Sequence, residues 1–361
     1  MSETQRVPHE IKASIPDRYP RGWFCVGASH EFTTDQPIKM DYFGRSLVAY
    51  RGKAGEIHVL DAYCPHMGAN LASGHVNGES IVCPFHAWSW GPDGVCDHIP
   101  YDDRIPRKAV VKSWSSVEIN DLVYVWHDPD GGAPIAEQAI PVDDVVSEPG
   151  WTPWIIERVH VNVHARELID NMADKAHFGP VHGLAKVTHF SNIAEGHKYT
   201  QLMNSEADDH IGISEATYHG PGYMLHHNTT LDPITKQTTS RAMTLVMNVP
   251  TGPESFEFIA GWKFELPVGC ESPDAIQKYC DEMREMAQRP EGLFSDLAIW
   301  KDKISIDNPV LCSGDGPVAK LREWYGQFLV PLDEVPDSMR ERRVYDKSEV
   351  IEWQSSSDPT R

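Results

Sequence analysis

Between Trp23 and Trp126 the chain alternates short apolar runs with turn-forming clusters. Trp23-Phe24-Cys25-Val26, Ser46-Leu47-Val48-Ala49-Tyr50, Ile57-His58-Val59-Leu60 and Leu122-Val123-Tyr124-Val125-Trp126 are rich in β-branched and aromatic residues, which favour strands. Arg51-Gly52-Lys53-Ala54-Gly55, Asn77-Gly78 and Gly91-Pro92-Asp93-Gly94 supply turns between them. The pattern predicts an all-β unit over residues 20–130, preceded by a loose polar arm. Asp128-Pro129-Asp130-Gly131-Gly132-Ala133-Pro134 reads as a linker, and a second domain is expected over residues 131–361.

Beyond the linker the period changes. A helical segment is predicted near 165–178, then strands at Tyr223–Asn228, Ala242–Val249 and Phe256–Leu266. Helices follow at Asp274–Ala287, opened by Ser272-Pro273, and at Gly292–Lys303. This order predicts an α+β domain with an antiparallel sheet. The apolar stretch 213–266 has polar interruptions, as a curved sheet lining a pocket would have.

Composition narrows the function classes. The 361 residues suit two domains or one large one, and 32 Lys+Arg against 53 Asp+Glu leave a net charge of −21. Such acidity argues against nucleic-acid or anionic-membrane binding, which rests on basic patches. It fits a partner with a basic docking face. No apolar run approaches the ~18 residues of a membrane span. Met1 to Tyr19 has no apolar core of a secretory signal. Seven Cys, an odd number, argue against a disulfide scaffold and for metal or catalytic use. A cytoplasmic protein is expected.

Cys64-Pro65-His66 is followed, after sixteen residues, by Cys83-Pro84-Phe85-His86. One thiolate and one imidazole in each of two tight loops suit a 2Fe-2S cluster with sulfur on one iron and nitrogen on the other. Exchanging two thiolates for His raises the cluster's reduction potential. Gly68 and Gly74 let the loops come close to the sulfides, and Trp88 and Trp90 are candidates to exclude water. A zinc site is the alternative, but zinc fingers usually pair Cys with Cys and His with His at short spacing.

A second constellation lies in Asn171-Met172-Ala173-Asp174-Lys175-Ala176-His177-Phe178-Gly179-Pro180-Val181-His182. Asn171, Asp174 and His177 recur every third residue and would share one helical face. His182 would point ~140° away on an unbroken helix. A break at Gly179-Pro180 would swing it back. Two His and one carboxylate form the facial triad of non-haem Fe(II). Asp296, an acid within the apolar segment Leu293–Trp300, is the chosen carboxylate, with Asp302 between two Lys as its rival. The bland reading keeps both His as partly buried core residues and Asp174 as a solvent-facing acid.

With both constellations in view, the chain resembles the oxygenase components of Rieske non-haem iron oxygenases. The pattern Asn-x2-Asp-x2-His-x4-His, preceded by Asp170, matches that family's iron motif. Two departures stand out: Met67 where a basic residue often follows the first His, and Ala87 where Gly often follows the second. They set the chain apart from dioxygenases of simple arenes. Cys64-Pro65-His66-Met67-Gly68-Ala69-Asn70-Leu71, Ile299-Trp300-Lys301 and Asp307-Asn308-Pro309 resemble 3-ketosteroid 9α-hydroxylase oxygenases most. The resemblance implies a helix-grip (START-like) catalytic domain with a curved antiparallel sheet. It implies one Rieske cluster and one mononuclear Fe(II) per subunit, with O2 as co-substrate. A separate NADH-dependent flavin and iron–sulfur reductase is implied too, as is a homotrimer. The activity implied is 9α-hydroxylation of 4-androstene-3,17-dione or a related steroid, in steroid and lipid degradation. In this family the residue at Asp174 bridges a cluster His of one subunit to an iron His of the next, and Asp174 and Asn171 are the candidate catalytic residues.

Trp300, four after Asp296, is expected on the iron-site wall. Met172, Met247, Tyr218 and Asn248 are candidate substrate contacts, with Tyr223, Met224 and Met243 as further ones, although any one of them suits the core equally. A Rieske monooxygenase or O-demethylase acting on another bulky hydrophobic substrate is the alternative within the enzyme class. Outside it stand an electron carrier with an inert second domain and a hydrophobic-ligand carrier. Three irons per chain would favour the oxygenase over both.

Overall fold

The computed structural model describes residues 8–288, 294–312 and 314–353. The N-terminal region builds three small antiparallel sheets from β1 (Gly22–Ala28), β2 (Ile38–Tyr42), β3 (Arg45–Arg51), β4 (Ile57–Asp61), β5 (His75–Asn77), β6 (Ser80–Val82), β7 (Ser89–Trp90), β8 (Cys96–His98), β9 (Ser113–Trp114), β10 (Ser116–Ile119) and β11 (Leu122–His127). Their orders are β1-β11-β10, β2-β3-β4-β9 and β5-β6-β7-β8. β1 and β11 are buried along their whole length. This matches their unbroken apolar sequences, because a strand covered on both faces has no reason to alternate. The arm before β1 is pinned rather than loose over its described part: Ala13 bridges Ile306, and Lys12 N donates to Asn308 Oδ1 at 2.9 Å.

After a short α1 (Asp144–Ser147), one large sheet takes in β12 (Ile155–Val161), β13 (Lys186–Glu195), β14 (Lys198–Glu206), β15 (Ile211–His219), β16 (Tyr223–Leu231), β17 (Thr238–Gly252), β18 (Ser255–Phe264), β19 (Arg343–Asp346) and β20 (Ile351–Glu352). The order is β12-β18-β17-β16-β15-β14-β13-β19, with β20 also on β13. Each described pairing is antiparallel.

The expectation of a curved helix-grip sheet is overturned. The sheet is neither curled nor closed: it is an open path with β12 at one edge and β19 and β20 at the other. The polar interruptions in 213–266 come from plain two-residue alternation instead. Successive residues face opposite sides. One face of β16–β18, with Tyr223, Leu225, Met243, Leu245, Met247 and Ile259, packs into a core shared with Trp23, Phe24 and Tyr124 of the N-terminal region. The other, with Met224, Val246, Ala260 and Trp262, packs against helices.

Those helices are α2 (Arg166–Asp170), α3 (Phe178–His182), α4 (Pro273–Ala287), α5 (Ser295–Trp300) and α6 (Val318–Gly326). α4 begins as its sequence suggests, with Ser272 Oγ accepting from Ala275 N at 3.2 Å and Pro273 in the first turn. α5 is shorter than the predicted helix, whose residues 292 and 293 lie outside the described ones. The predicted helix near 165–178 is two helices. The chain leaves α2 after Asp170, turns through Asn171–Ala173, and re-enters at Phe178. Gly179-Pro180 does not break a helix; it lies in the first turn of α3, where the missing proline N–H would have no partner anyway. Among the described residues no helix is long and apolar enough to cross a membrane.

Candidate metal centres and substrate pocket

The two Cys-Pro loops are copies of one turn. Cys64 N donates to Ala69 O and its carbonyl accepts from Gly68 N; Cys83 N donates to Trp88 O and its carbonyl accepts from Ala87 N. Gly68 and Ala87 hold the same place in the two turns, and both adopt positive φ, 77° and 55°. His66 and His86 do not hold the same place: one is the third residue of its turn, the other the fourth. Their rings still meet, with centroids 4.6 Å apart. Trp88 stacks on His66 at 4.4 Å, and Trp88 and Trp90 are both buried.

Cys64 and Cys83 are buried free thiols. Burial pushes the Cys64 thiol up to about 11, with the neighbouring Cys83 adding to the effect. Such a thiolate needs a cation to stabilise it. His66 Nδ1 and His86 Nδ1 are buried and bond to no protein group. A buried polar atom without a partner is unfavourable. Two buried thiols and two such nitrogens therefore fit the ligand set of a 2Fe-2S cluster.

The second centre forms where α3 meets α5. His177, His182 and Asp296 each bring a ligand atom within 4.8 Å of the others. Asp302, the rival, is exposed and outside this group. His177 Nδ1 donates to Asp174 O at 2.6 Å. That bond fixes the tautomer and leaves Nε2 free for a metal. Burial lowers the His177 pKa, against the raising effects of Asp174 and Asp296. The neutral ring that results is the ligating form. His182 Nδ1 lies 3.2 Å from Ser295 Oγ, and its Nε2 lies 3.4 Å from Asp296 Oδ2. Asp296 is 4% exposed, with no Lys or Arg paired to it among the described residues. A buried acid facing two imidazole nitrogens suits a divalent cation.

Asp174 does sit against His177, through a turn rather than a helical face. Its Oδ1 accepts from Ala176 N at 3.0 Å and from His177 N at 3.3 Å, and the side chain is 40% exposed. The loop is tied to the sheet at Met172, whose carbonyl accepts from Asn192 Nδ2 at 2.7 Å and Gln201 Nε2 at 2.8 Å.

His177, His182 and Asp296 open on a cavity of about 450 Å³, within the ~300–1,000 Å³ of small-ligand sites. Its floor follows the sheet's register. Gln201, Ala216, His226, Thr244 and Trp262 are consecutive cross-strand partners on β14–β18 and form one row. Tyr218, Met224 and Val246 form the next row, and Met203 and Phe264 lie on the other side. Asn171, Met172, Phe178 and Trp300 complete the walls.

Met172, Tyr218, Met224 and Trp300 thus reach the cavity. Met247, Tyr223 and Met243 do not, because their parity turns them to the core shared with the N-terminal region. Asn248 is also misplaced by the sequence reading: it is fully buried, and its Nδ2 donates to Pro221 O at 2.8 Å. Gln201, His226, Thr244 and Trp262 were missed. The missed signal was parity, since His226 is two residues from Met224 on one strand. Burial lowers the His226 pKa to about 4, so the ring is neutral at ordinary pH, and its Nε2 has no partner.

Two family models cover most of the chain: the Rieske [2Fe-2S] domain over residues 22–115, and the 3-ketosteroid 9α-hydroxylase C-terminal domain over residues 125–329. A probable 3-ketosteroid-9-alpha-monooxygenase oxygenase component from Rhodococcus rhodochrous is 39% identical, over 95% of this chain and 89% of its own. The chain belongs to the 3-ketosteroid 9α-hydroxylase oxygenase family. A further member, from Mycobacterium tuberculosis, is 36% identical over 92% of this chain and 88% of its own. Dicamba monooxygenase shares the fold at 18% identity, with a TM-score of 0.71 over 86% of this chain and 98% of its own. As in other Rieske oxygenases, an iron–sulfur domain and a mononuclear iron-binding triad occur in one chain.

Proposed function

We propose that this chain is the oxygenase component of a 3-ketosteroid 9α-monooxygenase, working with O2 and a separate NADH-dependent flavin and iron–sulfur reductase in steroid degradation. The observation that carries the reading is a largely apolar, steroid-sized cavity opening directly on His177, His182 and Asp296, in a chain of this family. Bound at the two centres, iron supplies single-electron transfer at one and dioxygen chemistry at the other. The division of labour follows the chain, with electron entry in residues 20–130 and catalysis in residues 131–361.

The protein's own groups do the positioning. Cys64, His66, Cys83 and His86 would hold one cluster, and His177, His182 and Asp296 one Fe(II). His177 keeps its proton on Nδ1, which donates to the Asp174 carbonyl and leaves Nε2 free to bind the metal. Trp300, Met224 and Val246 give the steroid apolar walls and exclude water. His226 and Thr244, facing each other on adjacent strands, offer hydrogen bonds to a ketone. The half-exposed Asp174 suits the family's trimer, in which it would bridge His86 of the next chain to its own His177.

The test is product analysis with a panel of 3-ketosteroids, ring-ketone and side-chain variants, together with reductase, NADH and O2. A 9α-hydroxylated product formed in step with NADH oxidation is expected. NADH oxidation with every steroid returned unchanged would refute the reading. Asp174→Asn should leave both centres loaded and cut turnover steeply, and undiminished turnover would remove the bridge.

A further inference from the structure

The iron-ligating segment is held from outside by residues that come more than 150 positions later. Lys175, two before His177, is 2% exposed, and its ammonium donates to the backbone carbonyls of Lys347, at 2.6 Å, and of Glu349. Gly179, between the two His, lies under the indole of Trp353. A Cβ there would fall 2.1 Å from the ring, so that position must be glycine for the indole to seat. Ala185, three after His182, accepts from Trp353 N at 3.0 Å. The same tail is fixed to the sheet. Lys347 N donates to Phe190 O, Ser348 Oγ lies 2.7 Å from His189 Nδ1, and β20 pairs with Lys186 and Val187. Trp353 also packs with Phe178 and Leu184 against Val187, Phe190 and Met203. Phe178, Leu184 and Met203 line the cavity on their other side.

Local structure alone does not hold His177 and His182 in place. α3 has five residues and no buried face of its own. A helix so short is marginal without tertiary packing. The tail supplies that packing, with one attachment before the ligands, one between them and one after.

We infer that residues 343–353 form a strap that positions the mononuclear iron site, with Lys175 and Trp353 as its positioning residues. The inference rests on the reading that His177, His182 and Asp296 bind the metal. Neither Lys175 nor Trp353 is among the residues that line the cavity; Lys175 acts through the backbone just before His177, and Trp353 through Gly179 and Ala185. Without the strap, α3 samples geometries in which the two rings no longer converge, and metal affinity falls while the cluster, held by the N-terminal domain, is unaffected.

The experiment uses the full-length protein with its cluster intact and its mononuclear site emptied by mild chelation. Co(II) is titrated in, followed by its visible ligand-field absorption, with the cluster spectrum as internal control. Trp353→Ala and Lys175→Met should each raise the Co(II) dissociation constant at least tenfold, with the cluster spectrum unchanged. Trp353→Phe, which keeps a ring over Gly179, should recover most of the affinity. Gly179→Ala, which displaces the indole while leaving the tail's own sequence unchanged, should reproduce Trp353→Ala. Wild-type affinity in Trp353→Ala and Gly179→Ala would overturn the strap. Co(II) affinity that is unchanged by His177→Ala would overturn the iron-site assignment instead, so the two failures are distinguishable.

Discussion

At the scale of single residues, Ala87 has the clearest consequence. It holds the place of Gly68 in a duplicated turn and adopts a φ of 55°, where a Cβ is unfavourable by roughly 1 kcal/mol. Ala87→Gly should therefore stabilise the N-terminal region, raising its thermal midpoint by a few degrees in calorimetry with the cluster spectrum unchanged. His177→Ala should remove the mononuclear iron, leave the cluster absorption intact and abolish product; iron analysis beside the visible spectrum checks it. Both constellations that the structure brings together were legible because metal ligation demands particular side chains at short spacings, and Cys64-x-His66 with Cys83-x2-His86 states that demand openly. The choice of Asp296 over Asp302 was legible for a different reason: its neighbours are apolar, whereas Asp302 lies between two lysines. Met247 was misread because chemical suitability was judged without parity, which assigns it to the core; Asn248 shares the parity of Thr244 and Val246 but is fully buried and bonded to Pro221 O.

At the scale of elements, α2 shows how the iron loop is launched. Asp170 ends it, 6% exposed, and Arg322 of α6 donates to both its carboxylate oxygens, from Nε at 3.1 Å and from Nη2 at 2.6 Å. Removing one member of such a buried pair strands the other, at about 3–5 kcal/mol. Arg322→Met should lower the urea midpoint by a corresponding amount, a loss that Arg322→Met/Asp170→Leu largely restores; an unchanged midpoint in the single variant would show the pair to be dispensable. The helical period carried across Asn171–Ala173, but the chain there is a turn. What stops the helix is long-range: the Met172 carbonyl is taken by Asn192 and Gln201 of the sheet. No local signal announces partners twenty and more residues away. α4, whose ends are set by its own Ser272-Pro273, was legible to within a residue.

At the scale of the whole molecule, the sheet separates two environments and buries titratable groups in both. His127, His164, His219 and His226 each have a pKa lowered by burial to about 4, against an ordinary 6.5. Above pH 6.5 neither the folded nor the unfolded chain protonates these rings. Between 6.5 and 4 only the unfolded chain does, so stability falls as pH falls through that window and loses nothing more from them below it. Thermal scans should give a flat midpoint from pH 8 to 7 and a steep decline toward pH 5. The open shape of the sheet was not legible, because the polar interruptions that suggested curvature are the cavity-facing half of flat alternation. That alternation has an evolutionary consequence. His226 and Thr244 face the cavity and belong to neither hydrophobic core, whereas Leu225, Met243, Leu245 and Met247 are wedged between the two halves of the protein. Ligand preference can therefore drift by single substitutions at these two facing positions at little expense to folding, and a saturation library scored for abundance should tolerate change at His226 and Thr244 and reject it at Leu225, Met243 and Leu245.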